Sequence, residues 1–554
     1  MLRILLVLIF CNFLFTFHGI SQVANYKYST AKNVYDKIAA AYGSNINPPK
    51  LEIKSKNLSG RKNVVMYYPG EQPTIIMDEE VYDLCVRFGT DSLNALATLL
   101  GHELAHHYEK HDWCSSFAFL LGDENELVKT IKKVNKEEKL KVESEADYYG
   151  GFYGYVAGYA TYDITPKLLD AIYNQYKLPE KISGYPSKTE RKDIATKRME
   201  ELKIWAAVFD AAEYLFVLKE YQKASTCLDY LSEKFPSREM FNNSGVCKLM
   251  MALEYFDAKE FPFMLPIEFD TQTRLKNGAV RAIGIEPTER ERLRNQWLDE
   301  ALILFDKAIQ RDPNYLNAKL NEGCAFILKS NNDMALGIAT EILNNSKAAG
   351  DKYNLSKANT LTGIAHHRNK NNAEARNHFE TAASLYKCTE TSYNIGAAKE
   401  LEKGLWDSFT DYLDTFFESE EQVNPEKSFN PSSEKIGGVN PAGITYSESR
   451  KTIDIPGNPA AAINFLSDNK QGTFIISQRN EELKVISAKA GYILKTAQGI
   501  GIGASGDIVK TKYGEPPYRL SLVNGEYWVY KKSKIAFLVN DKKIVEKWFI
   551  YNRN

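Results

Sequence analysis

Residues 102–106 read His-Glu-Leu-Ala-His. The surrounding pattern predicts a helix over Asp91–His111, and on a helix residues four apart share a face. His102 and His106 can therefore address one metal ion, while Glu103 beside them reaches a water bound to it. A zinc ion that performs hydrolysis takes three protein ligands and keeps a fourth position open. The motif supplies two ligands and a general base, most of what zinc-dependent cleavage of a peptide bond requires.

The third ligand must come from elsewhere. Of the eight histidines, four stand at 102, 106, 107 and 111. A third histidine six residues beyond the motif would fall at position 112, which is Asp112. The alternative is a carboxylate from a downstream helix. Residues 143–147 read Glu-Ser-Glu-Ala-Asp, and Glu143 and Asp147 share a helical face. Glu143 can then bind zinc while Asp147 orients a ligating imidazole, fixing its tautomer and raising its basicity. Glu145 points away from that face. His107, turned by about 100° per residue, is read as a packed or exposed histidine. His111 lies near the helix end, where a cation complements the dipole. The mixed-charge run Lys129–Lys141 is expected to form a solvated helix, and His366-His367 to lie on a helical surface.

An H-E-x-x-H helix followed by E-x-x-A-D in the next one resembles the gluzincin zinc metallopeptidases typified by the CAAX prenyl protease and the HtpX heat-shock protease. The soluble exported members that carry tetratricopeptide repeats are the most similar. The resemblance covers about residues 60–200 and implies Zn²⁺ on His102, His106 and Glu143, with Glu103 as the general base. It also implies that Thr74–Met77 is the edge strand that aligns substrate. Ser183 to Arg191, Ser-Gly-Tyr-Pro-Ser-Lys-Thr-Glu-Arg, resembles the family's His-Pro-Ser…Glu-Arg segment, with Tyr185 where a His is usual. By that resemblance Tyr185 and Arg191 lie near the site and influence access or the reaction, and a tyrosine hydroxyl could donate to an oxyanion. Read by itself, the segment is a turn and a helix start.

The elements that must position these residues fall into several blocks. A helical pattern over 28–48 (Ala31, Val34, Tyr35, Ile38, Ala39, Tyr42) precedes β-type runs at Leu51–Ile53, Asn63–Tyr68 and Thr74–Met77. After the motif helix a second spans about Lys136–Tyr162, and helix continues to 202 with a break near Gly184-Tyr185-Pro186. From about 205 the texture becomes helical pairs. Ala224, Leu228, Leu231 and Pro236 are echoed by Ala301, Phe305, Ala308 and Pro313, and by Gly363, Ala375, Phe379 and Ala382. Asn321 and Gly323, and Asn394 and Gly396, begin further copies. This spacing resembles tetratricopeptide repeats of 34 residues, four or five units over about 205–418. A surplus between the first two copies, with Phe261-Pro262-Phe263 and the charged run Glu286–Arg294, reads as an insertion between the two helices of one repeat. A polar stretch at 419–445 reads as a linker. Short alternating runs then predict an antiparallel sheet with one helix: Thr473–Ile476, Leu483–Ile486, Tyr492–Leu494, Tyr527–Tyr530, Ile535–Val539 and Trp548–Tyr551. The glycines of 499–516 lack a Gly-Lys-Ser/Thr ending and are no phosphate loop.

The expected fold is mainly α: an α+β zincin-like metallopeptidase domain, a tetratricopeptide-repeat α-solenoid and a small C-terminal β-rich domain. The divisions are a signal peptide at 1–21, the metallopeptidase domain at 22–202, repeats at 203–418 with the insertion at about 257–296, the linker at 419–445 and the β-rich domain at 446–554. The first of these rests on Arg3 followed by the apolar run Ile4–Phe17, short for a membrane span of about 20 residues and suited to secretory export. The expected location is periplasmic or secreted. At 554 residues the chain is too long for one ordinary core, and a net charge of -1 gives nucleic acid no purchase. Six cysteines remain after the leader, without a C-x-x-C pair. They are read mainly as small buried residues, with room for one or two bridges. Protein or peptide substrates, and protein partners held by the repeats, are the expected company; peripheral membrane association is compatible with it. A binding scaffold or assembly chaperone with minor or autoinhibited proteolysis is the rival reading.

Overall fold

The computed structural model describes residues 24–553, apart from 56–63, 114–116, 118–124, 182, 184, 257–259, 270–272, 275–284, 405–407, 410, 413–423, 437, 444–450, 455–460, 469–470, 479–480, 489–491, 523–524 and 541. The expected signal peptide lies outside these residues. The chain is mainly helical, with 16 α-helices and 13 strands among the described residues. No described helix is long and apolar enough to cross a membrane. Two compact units meet in sequence between Ala206 and Ala207.

The first unit opens with α1 (Asn25–Tyr42), stopped by Gly43 in the left-handed conformation. Its buried face is Ala31, Val34, Tyr35, Ile38, Ala41 and Tyr42. Strands β1 (Lys50–Lys54), β2 (Val65–Tyr68) and β3 (Thr74–Asp78) form one sheet in the order β1-β3-β2. β1 runs parallel to β3 and β2 antiparallel to it. Thr74–Met77, expected at the edge, is thus the middle strand. Ile75 and Met77 are fully buried, and both flanks of its backbone are bonded. β2 is the strand that faces the motif helix.

Next come α2 (Glu79–Val86), α3 (Ser92–Tyr108), α4 (Glu126–Lys133), α5 (Lys136–Val156), α6 (Thr165–Tyr176) and α7 (Lys188–Val217), which runs on into the second unit. α3 is buried without interruption from Ala95 to His107, as a helix enclosed on all sides must be. Tyr42 of α1 packs on Tyr108 of α3 and Tyr153 of α5, with ring centroids 4.4 and 4.1 Å apart. The run Lys129–Lys141 is not one solvated helix. Asn135 caps α5 by accepting the Glu138 N–H at 2.8 Å, and Val128, Ile131 and Lys139 are buried.

In the second unit α7 is followed by α8 (Tyr221–Lys234), α9 (Arg238–Leu253), α10 (Pro287–Arg311), α11 (Leu316–Leu328), α12 (Asn332–Ala349), α13 (Lys352–Arg368), α14 (Asn372–Leu385) and α15 (Thr389–Glu402). From α8 onward, neighbours in sequence pack on each other. Ala224, Leu228 and Leu231, Ala301, Phe305 and Ala308, and Ala375, Phe379 and Ala382 are all buried. One device recurs: α7, α11, α13 and α15 are each followed, two positions past their last residue, by one with positive φ, Lys219, Ser330, Lys370 and Gly404. α9 leads instead into the insertion, which therefore separates α9 from α10.

The insertion contributes β4 (Glu268–Phe269) and β5 (Thr273–Arg274). The C-terminal part adds β6 (Lys451–Asp454), β7 (Ala461–Asp468), β8 (Gln471–Gln478), β9 (Glu481–Ala488), α16 (Gly506–Tyr513), β10 (Tyr518–Leu522), β11 (Gly525–Tyr530), β12 (Ile535–Asn540) and β13 (Val545–Arg553). All ten strands join one sheet in the order β4-β5-β10-β11-β12-β13-β9-β8-β7-β6. Trp528, Tyr530, Phe537, Trp548 and Tyr513 fill its core. Tyr492–Leu494 is not a strand. There the Thr496 N–H bonds to the Ile500 carbonyl at 2.7 Å and closes a turn. The expected linker is, from 424 on, part of this body: Glu434 is fully buried and accepts the Tyr513 hydroxyl at 2.7 Å and the Ala497 N–H at 2.8 Å. Cys85, Cys227, Cys247, Cys324 and Cys388 are free thiols; Cys114 lies outside the described residues.

Candidate metal centre

The site is set by a close crossing of α3 and α5. A Cβ on Gly101 would lie 2.7 Å from the Gly150 carbonyl oxygen, and one on Gly150 would lie 2.4 Å from Gly101 carbonyl atoms and 2.6 Å from the His102 nitrogen. Only glycine at both positions lets the two backbones touch. That contact brings His102 and His106 on α3 against Glu143 and Asp147 on α5.

His102, His106 and Glu143 are buried, and one donor atom of each lies within 4.8 Å of the others. The His102 and His106 Nε2 atoms are 3.2 Å apart. Glu143 Oε2 is 3.2 Å from His102 Nε2, and Oε1 is 4.0 Å from His106 Nε2. Donors about 2.0–2.1 Å from a tetrahedral ion such as zinc stand about 3.3–3.4 Å from one another; the two 3.2 Å spacings lie close to this, and the His106–Glu143 spacing of 4.0 Å is wider.

The outer nitrogens settle which lone pairs face inward. His102 Nδ1 is 2.7 Å from Asp147 Oδ1, so it carries the proton. His106 Nδ1 lies 3.0 Å from His111 Nδ1, and His111 Nε2 lies 3.4 Å from Glu145 Oε2. A consistent assignment has His106 donating to His111 and His111 donating to Glu145. Both Nε2 atoms are then left as acceptors converging with a carboxylate. Such an arrangement asks for positive charge at its centre. Burial opposes an imidazolium at His102, yet Asp147 and Glu143 outweigh it and push its pKa up to about 10. Burial drives His106 the other way, well below its ordinary range. Burial also works against the Glu143 carboxylate, but the Arg191 guanidinium and the two imidazoles hold it well below the usual carboxyl range.

Glu103 is 1 % exposed and accepts the Tyr67 N–H of β2 at 2.6 Å. Arg191 Nη1 is 2.9 Å from Glu143 Oε2, so it holds that carboxylate in place. Tyr185 is buried with the Lys139 ammonium 4.9 Å over its ring, one turn of α5 before Glu143. Asp147 stands where the spacing placed it. His107 is packed, bonded to the Tyr67 hydroxyl at 3.2 Å and the Asn47 carbonyl at 2.9 Å.

Sequence reasoning missed three parts: the Gly101–Gly150 contact, the His111–Glu145 support behind His106, and the β2 amide that holds Glu103. Glycines at both helix midpoints were a readable signal for the first, and the His106-to-His111 spacing was a weak one for the second. No known protein-family model matches the chain, and a search of curated proteins finds no match.

Proposed function

We propose that the chain is an exported zinc-dependent metalloendopeptidase of the gluzincin type. In this reading its helical pairs are tetratricopeptide-like repeats that hold protein substrates or partners, and proteins of the cell envelope are its targets. The observation that carries it is the buried convergence of two imidazole nitrogens and a carboxylate at 3.2, 3.2 and 4.0 Å, immediately beside Glu103. His102, His106 and Glu143 would hold Zn²⁺, which supplies a Lewis acid for the peptide carbonyl and lowers the pKa of water to about 7. Asp147 and the His111–Glu145 pair keep the imidazoles in the ligating tautomer. Arg191 fixes the Glu143 carboxylate. Glu103, aimed by the Tyr67 amide, takes the proton of the attacking water and delivers it to the leaving amine.

The test pairs two variants. Glu143→Ala should lose the metal, read as zinc per chain by elemental analysis. Glu103→Gln should keep about one zinc and lose about 10²–10⁴-fold in peptidase rate. Full activity in Glu103→Gln, or no zinc in the wild type, overturns the assignment. One observation favours a binding scaffold as the second reading: the Asn394 side chain accepts the Met264 N–H at 2.9 Å and donates to the Met264 carbonyl at 2.8 Å. A scaffold predicts that Glu103→Gln leaves function in the cell intact while deletion of the repeats abolishes it.

A further inference from the structure

After α9 the insertion crosses the helical array through Phe261–Ile267, which forms neither helix nor strand and bends at Phe263. Phe261, Phe263, Met264, Leu265 and Ile267 are all buried. Phe263 lies edge-on to His367 of α13 at 4.8 Å and beside Phe379 of α14 at 5.7 Å. The Arg368 guanidinium sits 5.8 Å over the Phe261 ring. At α15 the contact turns polar. Asn394 accepts the Met264 N–H at 2.9 Å and donates its amide to the Met264 carbonyl at 2.8 Å, and the Tyr393 hydroxyl donates to the Pro262 carbonyl at 2.9 Å.

A side-chain amide that bonds both backbone groups of one residue reads a peptide unit, whatever its side chain. It is how an array takes hold of an extended ligand rather than how two helices pack. Asn394 is followed two residues on by Gly396, and the same Asn-x-Gly spacing occurs on α9 at Asn243 and Gly245 and on α11 at Asn321 and Gly323. On α11 the Asn321 amide donates to Asn242 at 2.9 Å. Pro262 and Pro266 bracket the gripped residue, and proline favours the extended polyproline conformation at little entropic cost.

We infer that Phe261–Ile267 is a built-in occupant of a peptide groove, and that the groove takes an extended, apolar, proline-bearing segment of another protein in its place. The segment acts as a strap: it keeps the apolar groove dry until a competing peptide displaces it. This deepens the reading of the repeats as a peptide-holding array and is independent of the metal site.

The test uses the full chain carrying Glu103→Gln, so that cleavage cannot consume the probe. The probe is a fluorescein-labelled peptide Glu-Phe-Pro-Phe-Met-Leu-Pro-Ile-Glu, followed by anisotropy. Loosening the strap with Phe263→Ala and Leu265→Ala should tighten probe binding at least ten-fold. Adding Asn394→Ala to that background should reverse the gain at least ten-fold. Equal or weaker binding by the loosened chain makes the strap permanent core and overturns the proposal. Should the loosened chain fail to fold, hydrogen exchange on the strap-intact chain decides. Saturating unlabelled peptide should speed exchange of the Phe263, Met264, Leu265 and Ile267 amides at least ten-fold and leave α13 unchanged. Unchanged strap amides would overturn it. Neither readout depends on zinc or activity.

Discussion

The α3–α5 pair of the first unit and the helical pairs of the second both place glycine where helices cross, but what each glycine meets differs. Gly101 and Gly150 meet backbone, at 2.4–2.7 Å from an added Cβ. In the second unit an added Cβ on Gly245, Gly323 or Gly363 would meet side-chain atoms of Phe305, Leu361 or Phe379 first, at 2.6–2.7 Å. A backbone contact has no rotamer to yield, so it fixes the register of α3 on α5 and with it the separation of the ligand atoms. A side-chain contact can shift. The candidate metal centre is built on the rigid kind of crossing and the array on the compliant kind.

The largest effect is expected of Gly150→Ala. Overpacking costs about 1–3 kcal/mol when side chains can move, and here the clash is with Gly101 and His102 backbone. We expect a loss of about 3 kcal/mol or more by denaturant unfolding, together with loss of bound zinc. Next in size is Asp147→Asn, which leaves the crossing intact but removes the carboxylate behind His102. Zinc affinity by chelator competition should fall about 10–100-fold. Gly323→Ala tests the compliant side. The gain in helix propensity, about 1 kcal/mol, offsets the displacement of the Leu361 methyl, so net stability should change by less than about 1 kcal/mol. A loss as large as that of Gly150→Ala would erase the distinction.

The smallest effect concerns charge in the array. Burial, with Asp306 and Glu341 nearby and Lys319 opposing, raises the Glu322 carboxyl from its ordinary 4.5 to about 7. The folded state therefore binds this proton more tightly than the unfolded state. Its contribution is present below about 4.5 and is lost as pH rises through about 7. Glu322→Gln should then match the wild type in thermal midpoint near pH 4 and exceed it by about a degree at pH 8. No change in that difference across the range would remove Glu322 as a pH-sensitive group.

The cluster of His102, His106 and Glu143 and the carboxylate behind it were legible because each half depends on one helix: His102 and His106, and Glu143 and Asp147, are four apart. The helical pairs were legible for the same reason, through local periodicity. What failed was non-local. Thr74–Met77 has the β pattern of an edge or a central strand equally, and only pairing with both β1 and β2 decides. Residues 424–443 look like a linker because Pro, Gly and Ser are abundant, yet the Glu434 carboxylate is buried by partners 63 and 79 residues away. Lys129–Lys141 is highly charged along its whole length, and only the cap at Asn135 divides it. The strap is a string of apolar residues whose partner, Asn394, lies 130 positions on.

That separation has a consequence for how the chain is made. β5 is completed by β10, pairing Arg274 with Ser521 and Thr273 with Leu522. At about 5–20 residues per second of synthesis, the strap waits several seconds or more for Asn394 to emerge, and β5 waits roughly twice as long for its sheet. During that interval the apolar run Phe261–Ile267 hangs uncovered beside the growing helices. The ribosome-bound protein therefore offers other chains the same sticky sequence that the finished molecule hides, and its yield should depend on how crowded, and how well chaperoned, its birthplace is.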